Sequence, residues 1–217
     1  MPLPTMPLVR LLSAFGGVLL LFTTLLQILA GVFGADAGKY SIATSPLGSL
    51  LGQSGKTDIL GTVQLIALVL AIPAGLYFFL SAIRKNMKKS PRILLGCTAV
   101  LWSLAQAVLA NFYVSAYPMN SPLRLIPMVT GVFTALYLLA EIRCITGRGK
   151  SGLFAASGFL AVGSSLIYVL SEGILTILGV QKIGLGTVYT LISFFLALYI
   201  GARMLAACRL CRTNANA

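Results

Sequence analysis

The sequence predicts an all-α, polytopic integral membrane protein: a six-transmembrane-helix bundle with both termini in the cytoplasm. Three observations predict it: an apolar composition, six long apolar runs and a one-sided distribution of Lys and Arg. Of the 217 residues, 58% are hydrophobic and 9% are charged, whereas a soluble domain has about 25% charged residues. The mean hydropathy is +0.97. This composition excludes a soluble enzyme and a nucleic-acid-binding domain, despite the net charge of +12.

Each apolar run is long enough for a helix to cross a membrane, because a hydrocarbon layer of ~30 Å needs about 20 helical residues. Helices satisfy their own backbone hydrogen bonds in lipid, and continuous runs differ from the alternating pattern of a transmembrane barrel. A signal peptide is the alternative interpretation of the first run, but this run is longer than the 7–15 apolar residues of a signal peptide. One transmembrane domain is predicted over 1–217, with an outer loop at 35–58 and spans at 8–34, 59–83, 93–117, 125–142, 153–180 and 184–207.

The basic residues give the bundle a predicted direction. Twelve of the sixteen Lys and Arg residues fall at the N-terminus, in the loops around 84–92 and 143–150, and at the C-terminal end. The positive-inside rule places that side in the cytoplasm, as in a multi-pass protein of the cell membrane. Contact with anionic lipid headgroups then explains the positive charge. The predicted partner is the lipid bilayer, and no nucleic-acid partner is predicted.

Short fragments recur in the even-numbered spans. The segment 60–63, Leu-Gly-Thr-Val, reappears at 185–188, and a Leu-Tyr pair precedes a basic residue at Tyr77, Tyr137 and Tyr199. Three repeated helical hairpins would explain both features, since repeats are common in transporter folds. A belt of tyrosines at the inner membrane interface is the alternative explanation of the Leu-Tyr pairs.

Small and polar residues form stripes at helical spacing, which predicts the packed face of each span. Small residues let transmembrane helices approach closely, and hydroxyl groups bond across helices for about 1 kcal/mol. Most of these residues are therefore predicted to serve packing. The clearest stripes comprise Thr130, Thr134, Tyr137 and Glu141 in the fourth span, and Gly158, Ala161, Ser165, Tyr168, Glu172, Thr176 and Gly179 in the fifth.

Glu172 is the strongest candidate for a functional residue. It lies about eight residues, or roughly 12 Å, inside the outer end of its span. An acidic side chain at that depth is costly and usually marks a ligand, ion or proton path. Glu141 is predicted near the inner boundary, within reach of cytoplasmic arginines, which leaves Glu172 as the one deep carboxylate.

Amide side chains on other spans lie at a depth similar to that of Glu172. The sequence predicts a polar pocket in the outer half of the bilayer, although separate interhelical hydrogen bonds would also explain the amides. Trp102 and Gln106 occupy the middle of the third span, where a Trp ring is predicted to be packed or to face a cavity. The predicted ligand-binding residues are Glu172, Gln27, Gln64, Asn111, Tyr168, Thr130 and Thr190.

The sequence predicts no enzyme activity, no metal site and no cofactor. The chain has no His, and it has no pair of deep carboxylates for acid–base catalysis. Cys208 and Cys211 have metal-ligand spacing, but a four-thiolate zinc site would need Cys97 and Cys144 to converge with them. Free thiols are predicted at these positions.

Two functions compete on these observations. The first is a small-solute membrane transporter, or its substrate-binding membrane subunit, in which Glu172 pairs with a cationic solute or carries a coupled proton. The second is a non-catalytic accessory, scaffold or regulatory subunit, whose small-residue stripes pack against a membrane-protein partner or a second copy. Substitution of Glu172 distinguishes them, since the first predicts altered binding and the second predicts loss of a complex.

Overall fold

The structure, a computed structural model, describes residues 7–32, 59–83, 89–112, 122–178 and 185–215. These residues contain six helices long and apolar enough to cross a membrane, and no strand, which confirms the predicted all-α membrane class. The helices are α1 (Pro7–Val32), α2 (Ile59–Ile83), α3 (Lys89–Phe112), α4 (Pro122–Ile145), α5 (Ser151–Ile177) and α6 (Leu185–Ala215).

Three helices include charged ends that lie outside the predicted apolar spans. Helix α3 begins at Lys89 rather than residue 93, α4 extends from Pro122 to Ile145 rather than from 125 to 142, and α6 continues to Ala215 rather than residue 207. A hydropathy count stops at the first charges, but a helical backbone need not, because long basic side chains can extend to the headgroups. The predicted outer loop at 35–58 and residues 113–117 lie outside the described residues.

The six described helices form a closed ring. Each helix packs against the next one in the sequence, and α6 packs against α1 in the smallest of the six interfaces. The turn from α4 to α5 uses Gly147 at φ 81°, with Arg148 N–H donating to the Arg143 carbonyl and Gly147 N–H to that of Cys144. This is the left-handed helix ending that glycine favours. The ring gives all six helices a shared interior.

Two interfaces depend on glycine. A Cβ atom on Gly17 of α1 would lie 2.7 Å from the backbone nitrogen of Phe79 and 2.8 Å from the carbonyl oxygen of Gly75. A Cβ atom on Gly131 of α4 would lie 2.8 Å from that of Ala107 in α3. Close backbone approach at small residues is a common basis of helix packing in membranes.

The polarity of the helix faces agrees with a membrane setting. Large apolar side chains remain exposed on every described helix, including Phe22 at 56% and Phe159 at 71%. The predicted stripe of α4 is buried in full, and Gly158, Ala161 and Ser165 of the predicted α5 stripe are buried. An exposed apolar surface of this extent is typical of contact with lipid.

Candidate functional site

Four polar side chains from four helices line one cavity, which we call the amide cavity. They are Gln27 of α1, Gln64 of α2, Gln106 of α3 and Tyr189 of α6. All four lie at the end of the bundle where α1 and α3 end and where α2 and α6 begin. The cavity has a volume of about 10 Å³, and Trp102 forms part of its wall.

Hydrogen bonds link part of the amide cavity into a network. Gln27 Nε2 donates to the Tyr189 hydroxyl at 2.9 Å, and the side chain of Gln106 is also hydrogen-bonded to Tyr189. Tyr189 therefore joins α6 to α1 and α3. Gln64 makes no hydrogen bond to any other described residue, although its amide carries both donors and acceptors.

The two threonines of the cavity wall are already satisfied within α1. The Thr23 and Thr24 hydroxyls donate to the Leu20 carbonyl at 2.9 Å and 2.7 Å. Serine and threonine hydroxyls commonly bond back to their own helix in this way. The hydrogen-bonding capacity of the wall therefore comes mainly from the three glutamines and Tyr189.

The structure brings together two of the seven predicted ligand-binding residues in this cavity, Gln27 and Gln64. Thr130 is buried and donates to the Ile126 carbonyl at 2.8 Å, while Thr190 is buried beside Tyr189. The side chain of Asn111 lies outside the described residues. Ligand binding by all seven residues stays a prediction.

Glu172 and Tyr168 occupy a different part of the ring. Both are half-buried on α5, on the helical face that also carries the buried Ser165. Helix α5 packs against α4 and α6, whereas the amide cavity is walled by α1, α2, α3 and α6. Equal depth along the bundle therefore did not bring Glu172 into the described wall of this cavity.

Gln106 and Tyr189 line the amide cavity although they are absent from the predicted site. Gln106 lies one helical turn after Trp102, so a tryptophan in the middle of a span was the available signal. Tyr189 directly precedes Thr190 in the polar stripe of α6, and neighbouring helical residues can both border one interior. The predicted packed or cavity-facing position of Trp102 is confirmed, since its ring is 3% exposed.

A second polar group, which we call the ion-pair cluster, lies toward the opposite end of the bundle. It consists of Glu141 of α4 and of Tyr199 and Arg203 of α6. An Arg203 terminal nitrogen lies 3.0 Å from Glu141 Oε1. The Tyr199 hydroxyl donates to the same oxygen at 2.8 Å, and Arg203 Nε donates to the Tyr199 hydroxyl at 3.2 Å.

The ion-pair cluster agrees with the prediction that Glu141 lies within reach of arginines, and it shows in addition that both charges are buried. Glu141 is 0% exposed and Arg203 is 2% exposed, and the two side chains form an ion pair. Each occupies the inward face of its helix, where the opposite charge stabilises it. A buried charge without such a partner would be strongly unfavourable.

The three tyrosines of the Leu-Tyr pairs are also buried, so the predicted alternative of an interfacial belt is wrong for them. Tyr77, Tyr137 and Tyr199 are each at most 2% exposed. Phe78 contacts the rings of Tyr77 and Tyr199 edge-on, at centroid distances of 5.3 Å and 5.5 Å. These rings form an aromatic layer beside the ion-pair cluster. Such contacts contribute beyond the area that they bury.

A second, largely apolar cavity of about 10 Å³ lies between the amide cavity and the ion-pair cluster. Trp102 and Leu20 line both cavities, and Tyr199 joins the apolar cavity to the ion-pair cluster. The interior therefore runs from the amide cavity, past Trp102, to Glu141 and Arg203.

No protein family, curated protein or solved structure matches the chain. Within the described residues, no group of three His, Cys, Asp or Glu side chains is placed to hold a metal ion.

Proposed function

We propose that this protein is a small-solute membrane transporter, or the substrate-binding membrane subunit of one, and that its solute binds in the amide cavity. The supporting observation is the convergence of Gln27, Gln64, Gln106 and Tyr189 from four helices on one cavity. Ligand sites combine apolar walls with a few convergent polar groups. A half-buried Gln64 with no hydrogen bond in the described part of the chain gives this site capacity for a ligand.

The proposal retains the predicted direction of the bundle. With the basic loops in the cytoplasm, the amide cavity lies in the outer half of the bilayer and the ion-pair cluster lies in the inner half. A solute would then bind first on the outer side, next to Trp102, and leave past Glu141 and Arg203.

The chemistry of the wall favours an uncharged solute that both donates and accepts hydrogen bonds. No described side chain of the wall is charged; apart from the Trp102 indole N–H its polar groups are amides and hydroxyls, and amides offer donors and acceptors together. The Trp102 ring adds an apolar surface for the rest of the solute. Glu172 lies on α5, outside the described wall of this cavity, and we propose that it carries a coupled proton.

The volume of the amide cavity requires that the helices move when a solute binds. About 10 Å³ corresponds to roughly one water molecule. The α1–α6 interface is the smallest in the ring and carries the hydrogen bond from Gln27 to Tyr189 at the cavity wall. We propose that α1 and α6 separate there to admit the solute.

Trp102 fluorescence provides a direct test, because Trp102 is the single Trp of the chain. In purified protein in nanodiscs, acrylamide, a small neutral amide, should quench Trp102 far more strongly than iodide or caesium ions. Gln64→Leu should lower the static quenching constant, which reports bound acrylamide, roughly fivefold, as expected for the loss of one hydrogen bond of about 1 kcal/mol.

Thr98→Val is the matched control for Gln64→Leu, because the Thr98 hydroxyl bonds within its own helix, to the Leu95 carbonyl. It should leave acrylamide quenching unchanged. Equal quenching by iodide and acrylamide would show that access to Trp102 is not selective for a neutral solute, and no response to Gln64→Leu would show that acrylamide does not bind at Gln64; either result would overturn the proposed site.

The accessory subunit remains the second candidate, and the close packing of the interior favours it. A scaffold needs no movement of α1 from α6, and the half-buried Glu172 would pair with a basic group of a partner chain. Native mass spectrometry after mild extraction from the native membrane separates the two functions. A complex with other polypeptides that Glu172→Gln abolishes would establish the accessory role. A monomer or homo-oligomer, unchanged by Glu172→Gln, would favour an autonomous transporter.

A further inference from the structure

We propose that the ion-pair cluster of Glu141, Tyr199 and Arg203 is the gate that closes the solute path at the end opposite to the amide cavity. The inference rests on the proposed function, because a gate requires a path. It assigns a conformational role to a buried charge pair that a purely structural bundle would not need.

The position of the pair supports a gate. Helices α4 and α6 are not neighbours in the ring, since each packs against a different side of α5. Glu141 and Arg203 nevertheless join them at 3.0 Å, so the pair spans the interior rather than an interface between neighbours. Tyr199 lines the apolar cavity together with Trp102, and its hydroxyl donates to Glu141. The wall of that cavity is therefore hydrogen-bonded directly to the ion pair.

The energetics of the pair also support a gate. Removing two charges from water costs several kcal/mol for each ion, and a buried pair often fails to recover that cost. The cluster is also incompletely satisfied, because Glu141 Oε2 and the neighbouring Tyr137 hydroxyl are buried and have no hydrogen-bond partner in the described structure. Water that entered on opening would hydrate these atoms and both charges. The closed and open forms can therefore lie close in free energy.

The cluster occupies a helical position that all three even-numbered helices present to the interior. Ser81, Glu141 and Arg203 each follow a buried tyrosine by one turn, after Tyr77, Tyr137 and Tyr199. Ser81 is engaged locally, since its hydroxyl donates to the Phe78 carbonyl at 2.8 Å and lies 2.7 Å from that of Ser13. Glu141 and Arg203 are thus left to close the interior between α4 and α6.

Cys144 can report whether the gate is open. It lies one turn beyond Glu141 on α4, is half-buried, and packs against the buried core. In a Cys97→Ser, Cys208→Ser, Cys211→Ser background it is the remaining thiol, since the chain has four cysteines. The measurement is the rate at which a water-soluble maleimide alkylates Cys144 in the purified chain in nanodiscs.

Glu141→Gln should raise the alkylation rate of Cys144 about tenfold, because the amide cannot hold Arg203 as a carboxylate does. The exchange Glu141→Arg with Arg203→Glu restores opposite charges at the two positions and should return the rate toward that of the background protein. An unchanged rate in Glu141→Gln would overturn the proposal.

The variant Ser103→Cys provides a thiol that distinguishes gate opening from general unfolding. Ser103 is 2% exposed, donates to the Gly131 carbonyl at 2.9 Å across the α3–α4 interface, and lines neither described cavity. In a Ser103→Cys protein with Cys144→Ser, Glu141→Gln should leave the thiol unreactive. If the thiols at 103 and 144 become reactive together, the pair is only a structural brace.

The two proposals fail separately. If Gln64→Leu lowers acrylamide quenching as expected but Glu141→Gln leaves the alkylation rate of Cys144 unchanged, the gate is overturned and the proposed function stands. Opening at Cys144 without selective access of acrylamide to Trp102 would overturn the solute site instead.

Discussion

Arg203→Leu is expected to lower the free energy of unfolding by about 3–5 kcal/mol, because it leaves the Glu141 carboxylate buried without its cation. The substitution also removes the Arg203 N–H group that donates to the Tyr199 hydroxyl. Thermal unfolding in detergent, followed by circular dichroism, measures the loss. Within the described core, Arg203 is the position at which a neutral substitution is expected to leave a full charge unpaired at 0% exposure.

The double variant Glu141→Met, Arg203→Met is the control for this prediction. Apolar residues of similar volume often replace a buried ion pair with little loss, or with a gain, of stability. We expect the double variant to be more stable than either single Met variant. If the two single losses instead add in the double variant, the charges do not interact and the geometry of the cluster is wrong.

Gly17→Ala is expected to destabilise the α1–α2 interface by about 1–3 kcal/mol, the usual cost of overpacking. The added Cβ would lie 2.7 Å from the Phe79 nitrogen and 2.8 Å from the Gly75 oxygen. Both are backbone atoms, so relief requires that α1 and α2 move apart, and a side-chain rotation does not suffice. The melting temperature in detergent should fall accordingly.

Gly16→Ala is a matched control on the same helix. A Cβ on Gly16 would meet nothing within 4 Å, and Ala is favoured over Gly inside a helix by up to about 1 kcal/mol. We expect Gly16→Ala to be neutral or slightly stabilising. Equal effects of the two substitutions would show that helix propensity, rather than the close approach at Gly17, controls stability.

Local patterns in the sequence were sufficient to predict the six helices and much of their inward faces. Hydropathy and helical spacing depend on residues a few positions apart, and the stripe from Thr130 to Glu141 is buried as predicted. Helix α3 begins before the predicted apolar span, because hydropathy counting treats each charge as a boundary even when a long side chain can extend from a helical end.

The contacts between distant parts of the chain could not be predicted in this way. Tyr199 and Glu141 are 58 positions apart, and Gln27 and Tyr189 are 162 apart. Depth along the bundle was predicted for Gln64 and Glu172, but the order of helices around the ring was not. That order places α5 between α4 and α6, away from the described wall of the amide cavity.

The ring has a consequence for how the protein is made. Five of its six interfaces join helices that are adjacent in the chain, so contact order is low and most contacts can form as each helix enters the bilayer. The sixth interface forms only after α6, the last of the six described helices in the chain, has been synthesised. Until then Gln27 lacks Tyr189 and Glu141 lacks Arg203. A nascent chain that stops before α6 would therefore hold an uncompensated carboxylate in lipid, which gives membrane quality control a chemical signal of incompleteness.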